Sequence, residues 1–470
     1  MRIIHVSAEC FPVAKVGGLA DVVGALPKYL NKHGEQAAVI MPAYNTKFTR
    51  ERTFEVHNSS YVRIGNDNLP YKIYHADAEE LGYELYLVHL PGLFDREDIY
   101  GYRDDYYRFI AFQTVVMEWV LQLPVKPDLV HVHDHHTGLI PFFMKHTYRY
   151  NSLAHIPTIL TIHNANYQGQ FMWSAKNNLP EYDYWKSGLL EWQGAINPLA
   201  SAIKCSWAFT TVSHSYLEEL FVSAGGLESL INAERRKSYG ILNGIDVDVW
   251  DPATDTMIEH NYKLENEESG KWNNKKWLCE TFKLDPYKPL VTFIGRFARE
   301  KGADILPEII GRALYEFRGQ FTFLVLGSGE SSVEMSMQQL SQMYPGYMNC
   351  YIGYNEALAH KCYAGADFLL MPSRVEPCGL NQMYAMRYGT IPIVRAVGGL
   401  KDTVVDIGDT NGYGIRFQQP VAWDAINALY RSIVLYYQDA LVKKTRTRIM
   451  EIDNSWDKST KQYIYLYNNI

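Results

Sequence analysis

Short apolar runs alternate with amphipathic stretches along most of the chain, and that rhythm defines its elements. Candidate strands in the first half are 2–7, 37–41, 84–90, 129–133 and 158–163; in the second half they are 290–295, 321–326, 349–352, 368–371 and 391–394. Runs that are apolar throughout predict strands buried on both faces, and the helical periodicity between them predicts parallel sheets covered by helices. Residues 243–289 break the rhythm. Asn243-Gly244-Ile245-Asp246 and Trp250-Asp251-Pro252 lead into a polar helical stretch, which predicts the crossing into a second domain. The aromatic segment from about 455 to 470, with Trp456, Tyr463, Tyr465 and Tyr467, predicts a helix returning to the first domain. The expected fold is therefore α/β, with two Rossmann-like doubly wound parallel-sheet domains facing across a deep cleft. The expected division is 1–245 plus the helix at 455–470, and 246–454. Ligands are expected where the carboxyl ends of the strands meet.

Composition narrows the classes. At 470 residues the chain exceeds one compact domain. The net charge of −7 provides no basic field for nucleic acid, so any bound anion must be held by local Lys, Arg and helix ends. The six cysteines have no paired short spacing, which argues against a zinc ribbon or a disulfide framework and fits a reducing cytoplasm. The first residues read as a short strand rather than a signal peptide, and no run is long enough to span a membrane. The 35 tyrosines and 10 tryptophans suit the apolar faces of sugar rings, among many other uses.

The richest segment is Glu376-Pro377-Cys378-Gly379-Leu380. It lies between the apolar run Phe368-Leu369-Leu370-Met371 and a helical stretch beginning near Asn381. A strand end, a carboxylate and a glycine-containing helix start form a small-ligand site: Glu376 accepts from hydroxyls, and the helix start offers N–H groups to an anion. A sugar joined to a diphosphate needs both, so the residues suggest a nucleotide-sugar transferase. Lys15-Val16-Gly17-Gly18-Leu19 follows the first strand; it fits either close backbone approach to a phosphate or a plain glycine turn, and it is not a dinucleotide fingerprint. Gly295-Arg296 through Lys301-Gly302 follows a strand in the second half and fits either a diphosphate seat or a solvated turn. His131-Val132-His133-Asp134-His135-His136 invites a metal reading. Its spacing lacks the residue found before Asp in dinuclear hydrolases, so core histidines and an Asp134 exposed at the strand end are expected. His163, ending another strand, faces either the cleft or the core. Gly327-Ser328-Gly329 fits a turn.

As an ordered set these segments resemble the bacterial glycogen synthase and plant starch synthase family, glycosyltransferase family 5. The resemblance rests on Lys15–Leu19 with Ala20-Asp21, His133-Asp134 with Gly138-Leu139, His163-Asn164 with Tyr167-Gln168-Gly169, and Asn243-Gly244. It continues through Gly295-Arg296 with Lys301-Gly302, Gly353-Tyr354, Ser373–Leu380, and Gly398-Gly399 with Asp402-Thr403. It implies a GT-B fold and retaining transfer of glucose from ADP-glucose to the non-reducing end of an α-1,4-glucan such as glycogen, with no metal or other cofactor. By motif, Lys15, Arg296 and Lys301 would hold the diphosphate, with Gly18 approaching through backbone and Asp21 beside it. Glu376 would hold glucose hydroxyls, helped by the N–H groups of Cys378, Gly379 and Leu380. The His163 carbonyl would face the anomeric carbon, Asp134 and Asn164 would line the acceptor side, Asn243 would reach the sugar, and Tyr354 would flank adenine. Tyr384 stands where many related transferases carry a second glutamate. His135 stands where the family often has Trp, Asn381 where Thr or Ser is common, and 297–300 diverges. Alternatives are a relative using UDP-glucose or a short acceptor, and a glucan-binding protein without catalysis; no motif for a pyridoxal phosphate lysine is present.

Overall fold

The computed structural model describes residues 1–76 and 78–470. The chain forms two compact units, Met1–Asn243 with Trp456–Ile470, and Gly244–Ser455. Among the described residues, no helix is long and apolar enough to cross a membrane, and all six cysteines are free.

In chain order the first unit's strands are β1 (Arg2–Val6), β2 (Gln36–Pro42), β3 (Glu55–Ile64), β4 (Asp67–Ala76), β5 (Glu84–His89), β6 (Leu129–His133), β7 (Thr158–Ile162), β8 (Glu191–Trp192), β9 (Ala195–Ile196), β10 (Ala208–Thr211) and β11 (Ser238–Gly240). Nine of them form one sheet in the order β11-β10-β7-β6-β1-β2-β5-β4-β3, and β8 pairs with β9 in a separate ribbon. Strands β1, β6 and β7 are buried along almost their whole length, as a parallel sheet covered on both faces requires.

The expectation of a wholly parallel sheet is corrected at one edge. β3 and β4 form an antiparallel hairpin, and β4 pairs antiparallel with β5. Most of their positions are exposed or half-buried, and only Val62, Ile64, Tyr71 and Ile73 near the loop are buried, because this edge is solvated. Ile64 pairs with Asp67, so Gly65-Asn66 is a two-residue hairpin loop, with Gly65 at φ 57°.

The first unit's core joins its two chain segments. Ile3, Val22, Leu26, Tyr29, Leu30 and Leu129 cluster with Trp456, Tyr463, Leu466 and Tyr467 of the helix Trp456–Tyr467. Ser459 Oγ donates to the Leu242 carbonyl at 2.5 Å. Deeper in, the Tyr467 hydroxyl lies 2.8 Å from His131 Nδ1, joining the last helix to the centre of the sheet.

The second unit holds β12 (Leu290–Ile294), β13 (Thr322–Gly327), β14 (Met348–Ile352), β15 (Phe368–Met371), β16 (Ile391–Arg395) and β17 (Ile415–Phe417), all parallel, in the order β14-β13-β12-β15-β16-β17. Leu278, Leu284, Leu290, Leu324, Leu358 and Cys362 form a core beneath the sheet. Gly327-Ser328-Gly329 is structural. Phe297 N donates to the Ser328 carbonyl at 2.7 Å and Glu330 N to the Phe297 carbonyl at 2.9 Å, so this segment extends the pairing beyond β12.

Strand order reverses beside β1 in the first unit, between β1 and β6, and beside β12 in the second, between β12 and β15. Open α/β sheets bind ligands at such switch points. The loops that leave these four strands carry most of the residues that sequence reasoning singled out.

Tyr467→Phe should destabilise the protein by about 1–2 kcal/mol, because His131 Nδ1 is left buried without its partner. A denaturant titration checks this; an unchanged midpoint would show that the contact does not hold the last helix.

Candidate functional site

The second unit's switch point is built around Glu376. This residue is only 5% exposed, and a buried carboxylate is tolerated only where donors surround it. Lys301 Nζ donates to both of its oxygens, at 2.8 and 2.7 Å, and Ser373 Oγ donates to Oε2 at 3.0 Å. Lys301 arrives from the loop after β12; Ser373 and Glu376 come from the loop after β15. Backbone bonds join the two loops, since Arg374 N and Val375 N both donate to the Glu300 carbonyl, at 2.8 and 3.1 Å. Gly302 makes this approach possible. It sits at φ 68°, and a Cβ there would lie 2.1 Å from the Pro372 carbonyl oxygen.

Arg296 pairs with Glu300 and keeps its side chain 58% exposed. Cys378 is buried, Gly379 has φ 71°, and Leu380 precedes the short helix Asn381–Arg387. Asn381 donates to the Ile294 carbonyl at 2.8 Å, tying that helix to the end of β12. Tyr354 is 76% exposed beyond β14. Tyr384 is a packing residue: its ring stacks on Trp250 at 3.7 Å, and Trp250 also stacks on His360 at 3.9 Å.

The first unit's switch point is organised by a residue that the motif reading missed, Glu9. Buried just beyond β1, it accepts from Val16 N at 2.5 Å, Gly17 N at 3.0 Å and the Tyr100 hydroxyl at 2.8 Å. Burial raises its pKa against the pull of these donors. Glu9 thus fixes the loop that presents Lys15, whose Nζ lies 2.7 Å from Asp21 Oδ1. The signal available in the sequence was an acid three residues past a buried strand. Neither Gly17 nor Gly18 has a positive φ, and a Cβ at either would meet nothing within 4 Å. A tight turn therefore does not account for these glycines, which face open space.

Asp134 corrects an expectation: it is buried, not exposed. Its φ of 55° turns the side chain back under the end of β7, where Oδ1 accepts from His163 N at 2.7 Å. Burial pushes its pKa from 3.8 to about 7, against the lowering effect of the His163 and Asn164 backbone N–H groups. His163 is also mostly buried, with Nε2 3.0 Å from His133 Nδ1. Asn164 Oδ1 accepts from Asn166 N at 3.0 Å. Asn243 is buried at the end of the unit, its Oδ1 without a partner among the described residues. Beyond Asp134, a cavity of about 290 Å³ is lined by Tyr102, Arg103, Tyr106, His135, Gln170 and Phe171 among others.

His5, His131 and His133 bring ring nitrogens within 4.8 Å of one another. Both nitrogens of His131 are engaged, with Tyr467 and with Thr161 at 2.6 Å. Both nitrogens of His133 are also engaged, with His5 and His163. These lone pairs and protons serve hydrogen bonds within the core, as the sequence reading expected of strand histidines.

Two doubly wound α/β units with polar switch-point loops are the architecture of the GT-B fold, and the comparisons with known proteins make the chain a glycosyltransferase of that fold. Residues 2–233 match the starch synthase catalytic domain model, and residues 280–446 match the glycosyl transferases group 1 model. The chain is 51% identical over 470 residues to a glycogen synthase of Flavobacterium johnsoniae, covering 100% of this chain and 99% of that one. It is 37% identical to a glycogen synthase of Thermotoga maritima, over 99% of this chain and 98% of that one. Among solved structures, the catalytic domain of starch synthase IV from Arabidopsis thaliana bound to ADP and acarbose superposes with a TM-score of 0.91. That match is 32% identical and covers 100% of this chain and 99% of that one. The chain belongs to the glycogen synthase and starch synthase family.

The Asp134 carboxyl sets a pH dependence. Between about pH 4 and 7 the folded state holds a proton that the unfolded state has lost, so rising pH erodes the stability this group leaves to the fold. Asp134→Asn keeps an acceptor for His163 N but removes the buried charge. Relative to the parent, it should gain about 2 kcal/mol of stability between pH 5 and pH 8. Unfolding free energies at the two pH values check this; an equal offset at both would place the Asp134 pKa in the ordinary range.

Proposed function

We propose that the chain is a glycogen or starch synthase that transfers glucose from ADP-glucose to the non-reducing 4-hydroxyl of an α-1,4-glucan, with retention at the anomeric carbon. The observation that carries this reading is the buried Glu376 held by Lys301 and Ser373 at the second unit's switch point. It sets fixed acceptors for sugar hydroxyls beside a cation for the phosphate. The family membership and the ADP and acarbose bound in the Arabidopsis relative support the same substrates.

In this reading Arg296 and Lys301 hold the diphosphate, and Lys15 is a further contact of it. Their charge matters most as the bond between the anomeric carbon and the phosphate oxygen breaks, when the leaving group gains negative charge. Gly18 lets backbone approach the phosphates. Glu376 and the N–H groups of Cys378, Gly379 and Leu380 orient the glucose, Asn243 reaches the sugar, and Tyr354 flanks the base. The His163 carbonyl faces the anomeric carbon as positive charge develops. The acceptor hydroxyl attacks from the face that the phosphate leaves, and the departing phosphate oxygen takes its proton. Asp134 and Asn164 line the acceptor side, and the cavity beside His135 accommodates a glucosyl unit of the glucan. Protein cations neutralise the phosphate in this scheme, so we propose no metal.

Incubation of the purified chain with radiolabelled ADP-glucose or UDP-glucose and glycogen tests the reading. Label should enter glycogen from ADP-glucose in preference to UDP-glucose. Incorporation from neither donor, by protein that still binds glycogen, would make the chain a glucan-binding protein instead. Glu376→Ala should cost about 3 kcal/mol or more in transition-state stabilisation, on the order of 10²-fold in kcat/KM. Near-parental turnover in a variant of unchanged Tm would remove Glu376 from the site.

A further inference from the structure

Three buried imidazoles run in series from the first unit's central strand to the candidate site. His5 Nδ1 lies 3.1 Å from His133 Nε2, and His133 Nδ1 lies 3.0 Å from His163 Nε2. Burial holds all three neutral: the pKa values of His5 and His163 fall to about 3, and that of His133 falls well below its ordinary value. A neutral imidazole has one N–H and one lone pair. Three of them bonded in series therefore have only two consistent arrangements. Either every ring donates toward His163, or every ring donates toward His5.

The two ends of the series are unlike. His5 is fully buried, and its Nε2 has no partner among the described residues. His163 keeps 9% exposure, and its Nδ1 is the nitrogen not engaged with His133. An N–H sealed without an acceptor is worse tolerated than an unfilled lone pair. The sealed nitrogen of His5 therefore carries the lone pair, and this decides the direction of the whole series.

We infer that His5 and His133 are positioning residues that fix His163 as a hydrogen-bond donor on its outward nitrogen. His5 Nδ1–H donates to His133 Nε2, His133 Nδ1–H donates to His163 Nε2, and His163 carries its own proton on Nδ1. The outward group is a neutral donor, matched to a sugar oxygen. It adds no positive charge beside a carbon that becomes positive during transfer, which a protonated imidazole would do. The functional part of this inference rests on the reading that His163 stands beside the transferred glucose; the tautomers do not.

The test uses the full chain labelled with 15N-histidine. Two-bond 1H–15N couplings at about pH 7.5 report which ring nitrogen carries the proton, with signals assigned through His163→Gln and His133→Gln. Both His133 and His163 should be protonated on Nδ1, and neither should titrate down to about pH 5.5. A His163 ring protonated on Nε2, or one that titrates in that range, overturns the inference. In transfer assays His133→Phe should lower kcat roughly tenfold, the equivalent of one hydrogen bond, with donor KM within about twofold. His133→Gln, whose amide can donate to His163, should recover most of that loss. Equal impairment of the two folded variants overturns the positioning role. Parental kcat in His133→Phe, with the Nδ1 tautomers seen in the unsubstituted protein, instead overturns the placement of His163 beside the sugar. Should neither variant fold, the spectra of the unsubstituted protein decide alone.

Discussion

A carboxylate that is taken out of water must find donors, and in the second unit that requirement shapes everything around Glu376. Its two oxygens are satisfied by Lys301 and Ser373, which arrive from the ends of two neighbouring strands. The loops after β12 and β15 must therefore touch, and Gly302 lacks a Cβ where the Pro372 carbonyl passes. Removing one partner of such a pair leaves the other charge buried and uncompensated, which is far worse than never having built it. The loop conformation is thus a consequence of one buried charge, and the polar atoms left facing outward are placed by the same contact.

The first unit solves a similar problem with backbone rather than side-chain cations. Glu9 is held by two N–H groups and a tyrosine hydroxyl, and Asp134 accepts from the N–H of His163. Hydrogen bonds from neutral donors offset burial only in part, so both carboxyls retain raised pKa values. The imidazoles behind them are driven the other way, toward neutrality. One physical cause, exclusion of water from the strand ends, accounts for both directions.

Much of this was legible in the chain. Strands such as 129–133 and 368–371 were readable because both faces are buried and the apolar run is continuous. The β3–β4 hairpin was not, because its solvated strands carry polar runs such as His57-Asn58-Ser59-Ser60 that show neither a continuous apolar stretch nor a clean alternation. Lys301 and Glu376 were readable as chemistry at strand ends, yet their direct contact was not, since 75 residues separate them. Glu9 was missed because it belongs to no motif; its importance comes from where the chain returns at Val16 and Gly17. The histidines were readable as core residues from their shared strand face, whereas the series through His5 and His163 depends on strand order.

The cations of the second unit are not equivalent. Lys301 is tied to a carboxylate that is 7% exposed at the side chain, while Arg296 shares a surface pair with Glu300 and is 58% exposed. Each of these two pairs is neutral when formed, so neither presents a net charge of its own. An exposed ion pair contributes about 0–1 kcal/mol, so an anion of higher charge can draw Arg296 away from Glu300 at small expense. Displacing Lys301 would strand Glu376 in a dry environment, and an incoming phosphate must share that lysine rather than capture it. Under the proposed function, a ligand that carries both phosphate and hydroxyl donors would resolve the conflict, its hydroxyls supplying Glu376 with partners while its phosphate engages Lys301. Phosphate alone lacks those donors, which is why the proposed function seats a sugar phosphate here rather than a bare polyphosphate.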